Sequence, residues 1–158
     1  MIKAHNIDLI VYDFDGVMTN NHAMVFEDGT EAVIISRADG LGVDLIRKHN
    51  VPQMIISTES NPVVSRRANK LKIDVLQDCK DKKDALIYIC EKKQYDISKV
   101  IFIGNDLNDL DVMKTVGYPI APSDAHPLVI DISILVTKAK GGDGVIRELA
   151  DILSGDNV

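Results

Sequence analysis

No stretch of this chain stays apolar for the roughly 18 residues that a membrane-spanning helix needs, so a transmembrane protein is not expected. The first residues, Met1 to Asn6, also lack the apolar core of about 7–15 residues that marks a secretory signal; the expectation is a mature, cytoplasmic protein. Cysteine is scarce. Cys79 and Cys90 are the only two, too few for a disulfide framework and without zinc-site spacing. Both read as reduced thiols, with Cys90 as a packing residue. Positive charge is short as well. The 18 Lys and Arg against 24 Asp and Glu leave a formal net charge of −6, which argues against nucleic acid or an anionic membrane as partner. A small acidic substrate stays open, because a metal ion can dominate a local field. Repeats, low-complexity tracts and linkers are absent.

What is present is an ordinary globular composition. The 158 residues fit one domain on a soft prior of about 150, expected over 1–153, with 154–158 as a frayed tail. A chain of this size buries roughly 68–70% of its unfolded surface, enough for a core without staples. The acids are lopsided: 19 of the 24 are Asp. Asp suits caps, turns and hard-metal sites better than element interiors, so the Asp clusters are the places to look for chemistry.

Strand-like and helix-like segments alternate along the chain. Ile7–Tyr12 is a short apolar run ended by acids, which predicts a buried strand. His22–Phe26 and Ala32–Ile35 flank Asp28-Gly29 and predict a β-hairpin, an insertion over about 20–35. Gly42–His49 predicts a helix and Gln53–Ile56 a strand. Asn61-Pro62 reads as a cap followed by Pro in the first turn of a helix whose Val64, Ala68 and Leu71 share one face. A helix is expected from near Asp81, a strand over Val100–Ile103, a helix over Asp106–Val116, a last strand over Ile134–Val136 and a last helix over Gly144–Leu153. This alternation predicts an α/β fold: a doubly wound, mainly parallel sheet of Rossmann-like type with helices on both faces. Ligands in such sheets bind beyond the carboxyl ends of the strands.

Those ends carry a consistent set of groups. Asp13-Phe14-Asp15-Gly16 follows the first strand, Ser57-Thr58 follows the second parallel strand, and Lys82 opens a helix. Gly104-Asn105-Asp106-Leu107-Asn108-Asp109 follows the Val100–Ile103 strand. Phosphoryl transfer to a carboxylate needs such groups: one acid to attack phosphorus, another to protonate the leaving oxygen, Mg²⁺ as a bridge and cations for the oxyanions. Taken singly, each has a plainer reading. Asp13 and Asp15 could be turn residues, Ser57 could satisfy backbone groups, Lys82 could belong to a solvated run with Lys80 and Lys83, and Asn105 could be a helix cap. His22, His49 and His126 read as surface or turn residues.

Together, the four motifs in this order resemble the haloacid dehalogenase-like phosphatases. The flanks Asp39-Gly40-Leu41-Gly42 and Gly141-Gly142-Asp143-Gly144 resemble its small capless branch, which acts on 2-keto-3-deoxy sugar-acid phosphates. The resemblance implies that Asp13 is the nucleophile and Asp15 the general acid and base, with Ser57 and Lys82 holding the phosphoryl oxygens. It implies a Mg²⁺ held by Asp13, the Asp15 backbone carbonyl and the 105 position. Many relatives have Asp where this chain has Asn105, so Asp106 is an alternative ligand. Asp109 supports Lys82, and Gly16, Thr58, Glu59, Lys70 and Asp109 are candidate substrate-side residues. The loop at Gly141, Gly142 and Gly144 is either a helix start or a backbone wall near substrate.

Only 43 residues separate Asp13 from Ser57, and 24 separate Ser57 from Lys82; neither interval holds a cap domain on top of the sheet elements. Relatives close such open sites by tetramerising, so a homotetramer is expected, with the apolar hairpin residues Met24, Val25 and Phe26 at the contact. Glu59 is expected at the mouth of the site, where Glu resembles the nonulosonate 9-phosphate enzymes and Arg or Lys the octulosonate 8-phosphate enzymes; it is also expected to pair with Lys70. Two rivals remain. A phospho-acceptor receiver module would place Asp where Ser57 stands. A non-catalytic oligomerisation domain, like those fused to sugar-acid nucleotide synthetases, would not need the catalytic set.

Overall fold

The computed structural model describes residues 2–155. Six parallel strands, in the order β5-β4-β1-β6-β7-β8, make the central sheet. They are β1 (Leu9–Tyr12), β4 (Gln53–Ile56), β5 (Asp74–Leu76), β6 (Val100–Ile103), β7 (Tyr118–Ala121) and β8 (Leu135–Val136). β2 (Thr19–Val25) and β3 (Glu31–Ile35) form a separate antiparallel hairpin. Helices α1 (Arg37–Arg47), α2 (Val63–Leu71) and α6 (Val145–Ser154) cover one face of the sheet. Helices α3 (Lys82–Lys93), α4 (Leu110–Met113) and α5 (Pro127–Ile132) cover the other.

Because side chains alternate across a strand, each buried strand feeds both layers. Ile10 and Tyr12 join one core with Ile55, Ile101 and Ile103. Leu9 and Val11 join the other with Met54, Ile56 and Phe102. Strands buried on both faces read as unbroken apolar runs, and β1 and β6 do; β4 does after Gln53, whose Oε1 accepts from the Tyr12 hydroxyl. Both cysteines are free and buried, with Cys90 against Leu86 in the second core. The α/β class and the hairpin insertion are as expected, and no separate cap is present among the described residues. Among the described residues no helix is long and apolar enough to cross a membrane.

Several boundaries differ from expectation. α1 begins at Arg37 rather than Gly42, because Ser36 Oγ caps it by accepting from the Ala38 N–H. Gly40 and Gly42 fall in its first turns, and Gly42 is there for packing: a Cβ would meet the Ile146 carbonyl at 2.7 Å. The helix expected over Asp106–Val116 is a 3-10 turn at Leu107–Asp109 followed by the single turn of α4. β5, β7 and α5 lie in segments for which no element was expected. α6 runs to Ser154 with Gly155 as its C-cap, and positions 156–158 of the expected tail lie outside the described residues.

Candidate active site

The strand order reverses at β1. The chain moves outward from β1 to β4 and β5, then returns to β6 on the other side of β1. The switch point is thus the gap between the carboxyl ends of β1 and β6, where an open α/β sheet leaves room for a ligand. Asp13 is the residue after β1, and its N–H still bonds the Ile103 carbonyl of β6. Asn105 stands two residues after β6. The site is therefore built on rigid sheet rather than on free loops.

Asp13, Lys82 and Asp109 form a buried triad. Lys82 Nζ lies 2.8 Å from Asp13 Oδ1 and 2.7 Å from Asp109 Oδ1, with the lysine side chain 1% exposed. Asp81 caps α3 through the Asp84 N–H, which fixes where Lys82 starts the helix. Asp109 Oδ2 accepts from the Asn105 N–H at 2.9 Å, tying the loop after β6 to the same ammonium. Burial alone would lower the Lys82 pKa, but the two carboxylates outweigh it and hold it above the ordinary lysine value. Asp13 is pushed up to about 7 by burial and by Asp109, against the pull of Lys82 and the Phe14 N–H. One ammonium thus serves two buried acids, and the pocket is short of positive charge.

Beside this triad, three oxygens converge. The side-chain amide of Asn105 presents a position 2.9 Å from the Asp15 carbonyl oxygen and 3.2 Å from Asp13 Oδ2. Turned one way, the amide fills it with nitrogen and donates to both acceptors. Turned the other way, it offers a third oxygen, and three acceptors face one another. Spacings near 3 Å match neighbouring vertices of an octahedron of oxygens about 2.1 Å from a Mg²⁺. The donor chemistry and the deficit of positive charge both fit such a cation. Among the described residues no three His, Cys, Asp or Glu side chains gather round a point; this set draws instead on one carboxylate, one carbonyl and one amide.

Gly16 makes the arrangement possible. Its φ is +81°, and a Cβ there would lie 2.0 Å from Asn105 Nδ2. Asp15 is half-buried; burial raises its carboxyl above the ordinary range, helped by the charge of Glu59, against a bond from Thr19. Ser57 and Thr58 line the same cavity of about 190 Å³, together with Asp13, Asp15, Asn105 and Asp106. Ser57 Oγ is held by the Glu59 N–H. Asp106 Oδ1 accepts from the Leu107 N–H, and its backbone N–H donates to Asp109 Oδ2 in a capping box.

Not every expected residue is brought in. Glu59 does not pair with Lys70. Its Oε1 accepts from the N–H groups of Ser60 and Asn61, closing the loop before α2. Lys70 lies in a separate cleft between α1 and α2, beside Arg37 and Arg67. The expectation rested on sequence order, and local backbone donors reach the Glu59 carboxylate first. The glycine loop is not a cavity wall either: Gly141 and Gly142 sit beneath the turn after β1, where Cβ atoms would meet the Gly16 carbonyl at 2.1 Å and the Asn20 nitrogen at 2.4 Å. Asn21 and Asn108 do line the cavity and were not singled out in the sequence. Their only signal is position, within the polar runs that follow β1 and β6. His126 caps α5 and donates its N–H to the Asn105 carbonyl.

Comparison with known proteins agrees with this architecture. Residues 44–149 match the haloacid dehalogenase-like hydrolase family model. The 3-deoxy-D-manno-octulosonate 8-phosphate phosphatase of Yersinia pestis is 34% identical over 152 residues, covering 96% of this chain and 81% of that protein. A Streptomyces avermitilis protein described as a HAD family hydrolase superposes with a TM-score of 0.96 at 42% identity, covering 99% of this chain and 90% of its own. The Moraxella catarrhalis 3-deoxy-D-manno-octulosonate 8-phosphate phosphatase, crystallised with magnesium, phosphate and KDO, superposes with a TM-score of 0.92 at 29% identity over 96% of this chain and 88% of its own. With the motif residues at one sheet edge and these matches spanning nearly the whole chain, the protein belongs to the haloacid dehalogenase-like hydrolases and is an enzyme of that family.

Proposed function

We propose that the protein is a Mg²⁺-dependent phosphatase of a 2-keto-3-deoxy sugar-acid phosphate. The observation that carries this is the convergence of Asp13 Oδ2, the Asp15 carbonyl and the Asn105 amide beside a lysine-clamped Asp13. The names of the relatives support the substrate class. A carboxylate oxygen of Asp13 attacks phosphorus, giving an aspartyl phosphate as the ester oxygen leaves. Asp15, whose burial favours the protonated form, gives its proton to that oxygen. It then takes a proton from the water that attacks the acyl phosphate and returns the enzyme to its starting state. Ser57 and Lys82 bind the equatorial phosphoryl oxygens, and Asp109 keeps Lys82 aimed at them. Asp13, the Asp15 carbonyl and Asn105 would hold the cation, with Asp106 at the edge of the same cavity. Bound there, Mg²⁺ supplies charge that draws Asp13 into its ionised form and offsets the phosphoryl oxygens.

The finer reading concerns the sugar. Glu59 lies close enough to Asp15 to raise its pKa, which supports a place for Glu59 at the mouth of the site. Glu at this position resembles the nonulosonate 9-phosphate enzymes, where Arg or Lys would resemble the octulosonate 8-phosphate enzymes, so the reading takes the nine-carbon ester as preferred substrate and the eight-carbon ester as second. The deciding measurement is kcat/KM for both esters, with Mg²⁺ and after chelation, in wild type and in Glu59→Arg. Turnover should vanish on chelation, and the arginine variant should shift toward the eight-carbon ester. A wild type favouring the eight-carbon ester by more than about tenfold, roughly 1.4 kcal/mol, removes the nonulosonate reading. Metal-independent turnover removes the mechanism.

A further inference from the structure

The cavity holds a carboxamide that forms no hydrogen bond among the described residues. β2 pairs Thr19 with Ile35 and then Ala23 with Val33, so two extra residues bulge out between these pairs. Asn21 sits in the bulge at φ 63°, in the left-handed region. Asparagine tolerates that region better than most residues, but glycine suits it best. The neighbouring Asn20 has an internal task, its Oδ1 accepting from the His22 N–H. The Asn21 backbone N–H donates to Thr19 Oγ1 at 3.1 Å. That same hydroxyl accepts from the Gly16 N–H and donates to Asp15 Oδ1. The rim at Asn21 is thus fixed relative to Asp15. The Asn21 side chain makes no hydrogen bond among the described residues, is exposed, and lines the cavity with Asp15 and Thr58. Asn108, on the loop after β6, also lines it with a side chain that bonds nothing among the described residues.

We propose that the Asn21 carboxamide is a specificity-determining contact for the hydroxyl groups of the substrate's carbon chain, with Asn108 as a second amide of the same kind. The inference rests on the phosphomonoester reading above. A hydroxyl is both donor and acceptor, and so is a carboxamide. The amide is also neutral, where another acid beside Asp13, Asp15 and Asp106 would repel a phosphate ester. A group kept at a backbone position that glycine would fill more easily points to use of its side chain. A site that bonds hydroxyls discriminates against esters that lack them.

The test compares wild type with Asn21→Gly, Asn21→Ala and Asn108→Ala. Three esters are used: octulosonate 8-phosphate, sorbitol 6-phosphate, which has hydroxyls but no carboxylate, and p-nitrophenyl phosphate, which has neither. The readout is the ratio of kcat/KM for each hydroxylated ester to that for p-nitrophenyl phosphate, with KM and kcat taken separately. For Asn21→Gly the ratio should fall by about tenfold, mainly through KM, while Tm is equal to or above that of wild type. A ratio unchanged within about twofold overturns the proposal. So does an equal loss on all three esters, which would mark Asn21 as shaping Asp15 through Thr19 and nothing more. The sugar-acid reading is judged separately, on wild type alone. If sorbitol 6-phosphate is the better substrate that reading falls, while the ratio in the variants still decides for or against Asn21.

Discussion

Asp13 combines the two demands on a nucleophile, an ionised form and a fixed direction. Its Oδ1 is held by the Phe14 N–H at 2.7 Å and by Lys82, while Oδ2 faces Asn105. Asp13→Asn is nearly isosteric but cannot form an acyl phosphate, so phosphatase activity should drop to the assay background with the circular dichroism spectrum unchanged. Measurable turnover by the purified variant contradicts the mechanism. Asp15→Asn should cost about 10²–10⁴ in kcat, the span of general acid–base catalysis. Gly16→Ala acts differently. A methyl at φ +81° would collide with the Asn105 amide, so the Mg²⁺ concentration for half-maximal activity should rise by about 10–100-fold, the cost of disturbing a group that orients a ligand. An unchanged Mg²⁺ requirement would mean that Asn105 does not hold the cation. At this scale the motif residues are readable because each follows an apolar strand directly, so order along the chain translates into one sheet edge. Glu59 is not readable in this way. A glutamate that caps its own loop and one that pairs with a lysine a helix away have the same sequence. Asn21 escapes notice for a related reason, since an Asn-Asn pair at a strand start looks like turn chemistry alone.

Among the elements, α1 and α6 are joined by one buried carboxylate. Asp39 Oδ1 accepts from the N–H groups of Ile146 and Arg147 at 2.9 and 3.1 Å, so a residue of α1 supplies the cap that the α6 N-terminus lacks at Gly144. Its Oδ2 is buried with no partner among the described residues. Burial pushes the Asp39 carboxyl up to about 6, against the two N–H bonds and Arg67. An unfolded Asp titrates near 3.9. Between about pH 4 and pH 6 the folded protein therefore keeps a proton that the unfolded chain has lost, and this group's contribution to stability falls as pH rises through that window. Two pKa units correspond to about 3 kcal/mol at most. Asp39→Asn keeps an oxygen for both N–H groups and cannot ionise, so relative to wild type it should gain stability from pH 4 to pH 7.5. Urea denaturation of both proteins at four pH values in that range measures the difference; a difference that does not change with pH excludes the buried charge as its source. No sequence pattern announces a cap that acts across more than 100 residues, whereas the local caps at Asp81 and Asn61 are plain. Asn61 shows the limit even there: its Oδ1 accepts from the Val63 N–H as a cap would, but Pro62 occupies the N-cap position rather than the first turn. β7 is obscured by Pro119 in an otherwise apolar run, and β5 by being only three residues long.

For the whole molecule, the hairpin is the part that its own chain does not explain. Among the described residues β2 and β3 pair only with each other, and a lone two-stranded hairpin is marginal in water. Met24 is 63% exposed, Val25 67% and Ile34 65%, with Phe26 beside them. Apolar side chains gathered on so small a feature mark a contact surface. The active-site cavity is also open, since among the described residues no cap stands over the carboxyl ends of β1, β4 and β6. One arrangement answers both facts: hairpins from several copies pack together, burying these side chains and bringing a neighbour over each cavity. The resemblance to the capless phosphatases implies four copies, and on these grounds together we propose a homotetramer. Light scattering of the purified protein at micromolar concentration should give four times the chain mass. Met24→Lys combined with Ile34→Lys should shift it to smaller species, with α/β circular dichroism retained, because neither side chain belongs to the two cores under the sheet. A wild type that is monomeric at that concentration rejects the assembly. A double variant that stays tetrameric moves the contact away from the hairpin, and the exposed Val136 of the edge strand β8, with Ile134 just before it, becomes the next surface to change.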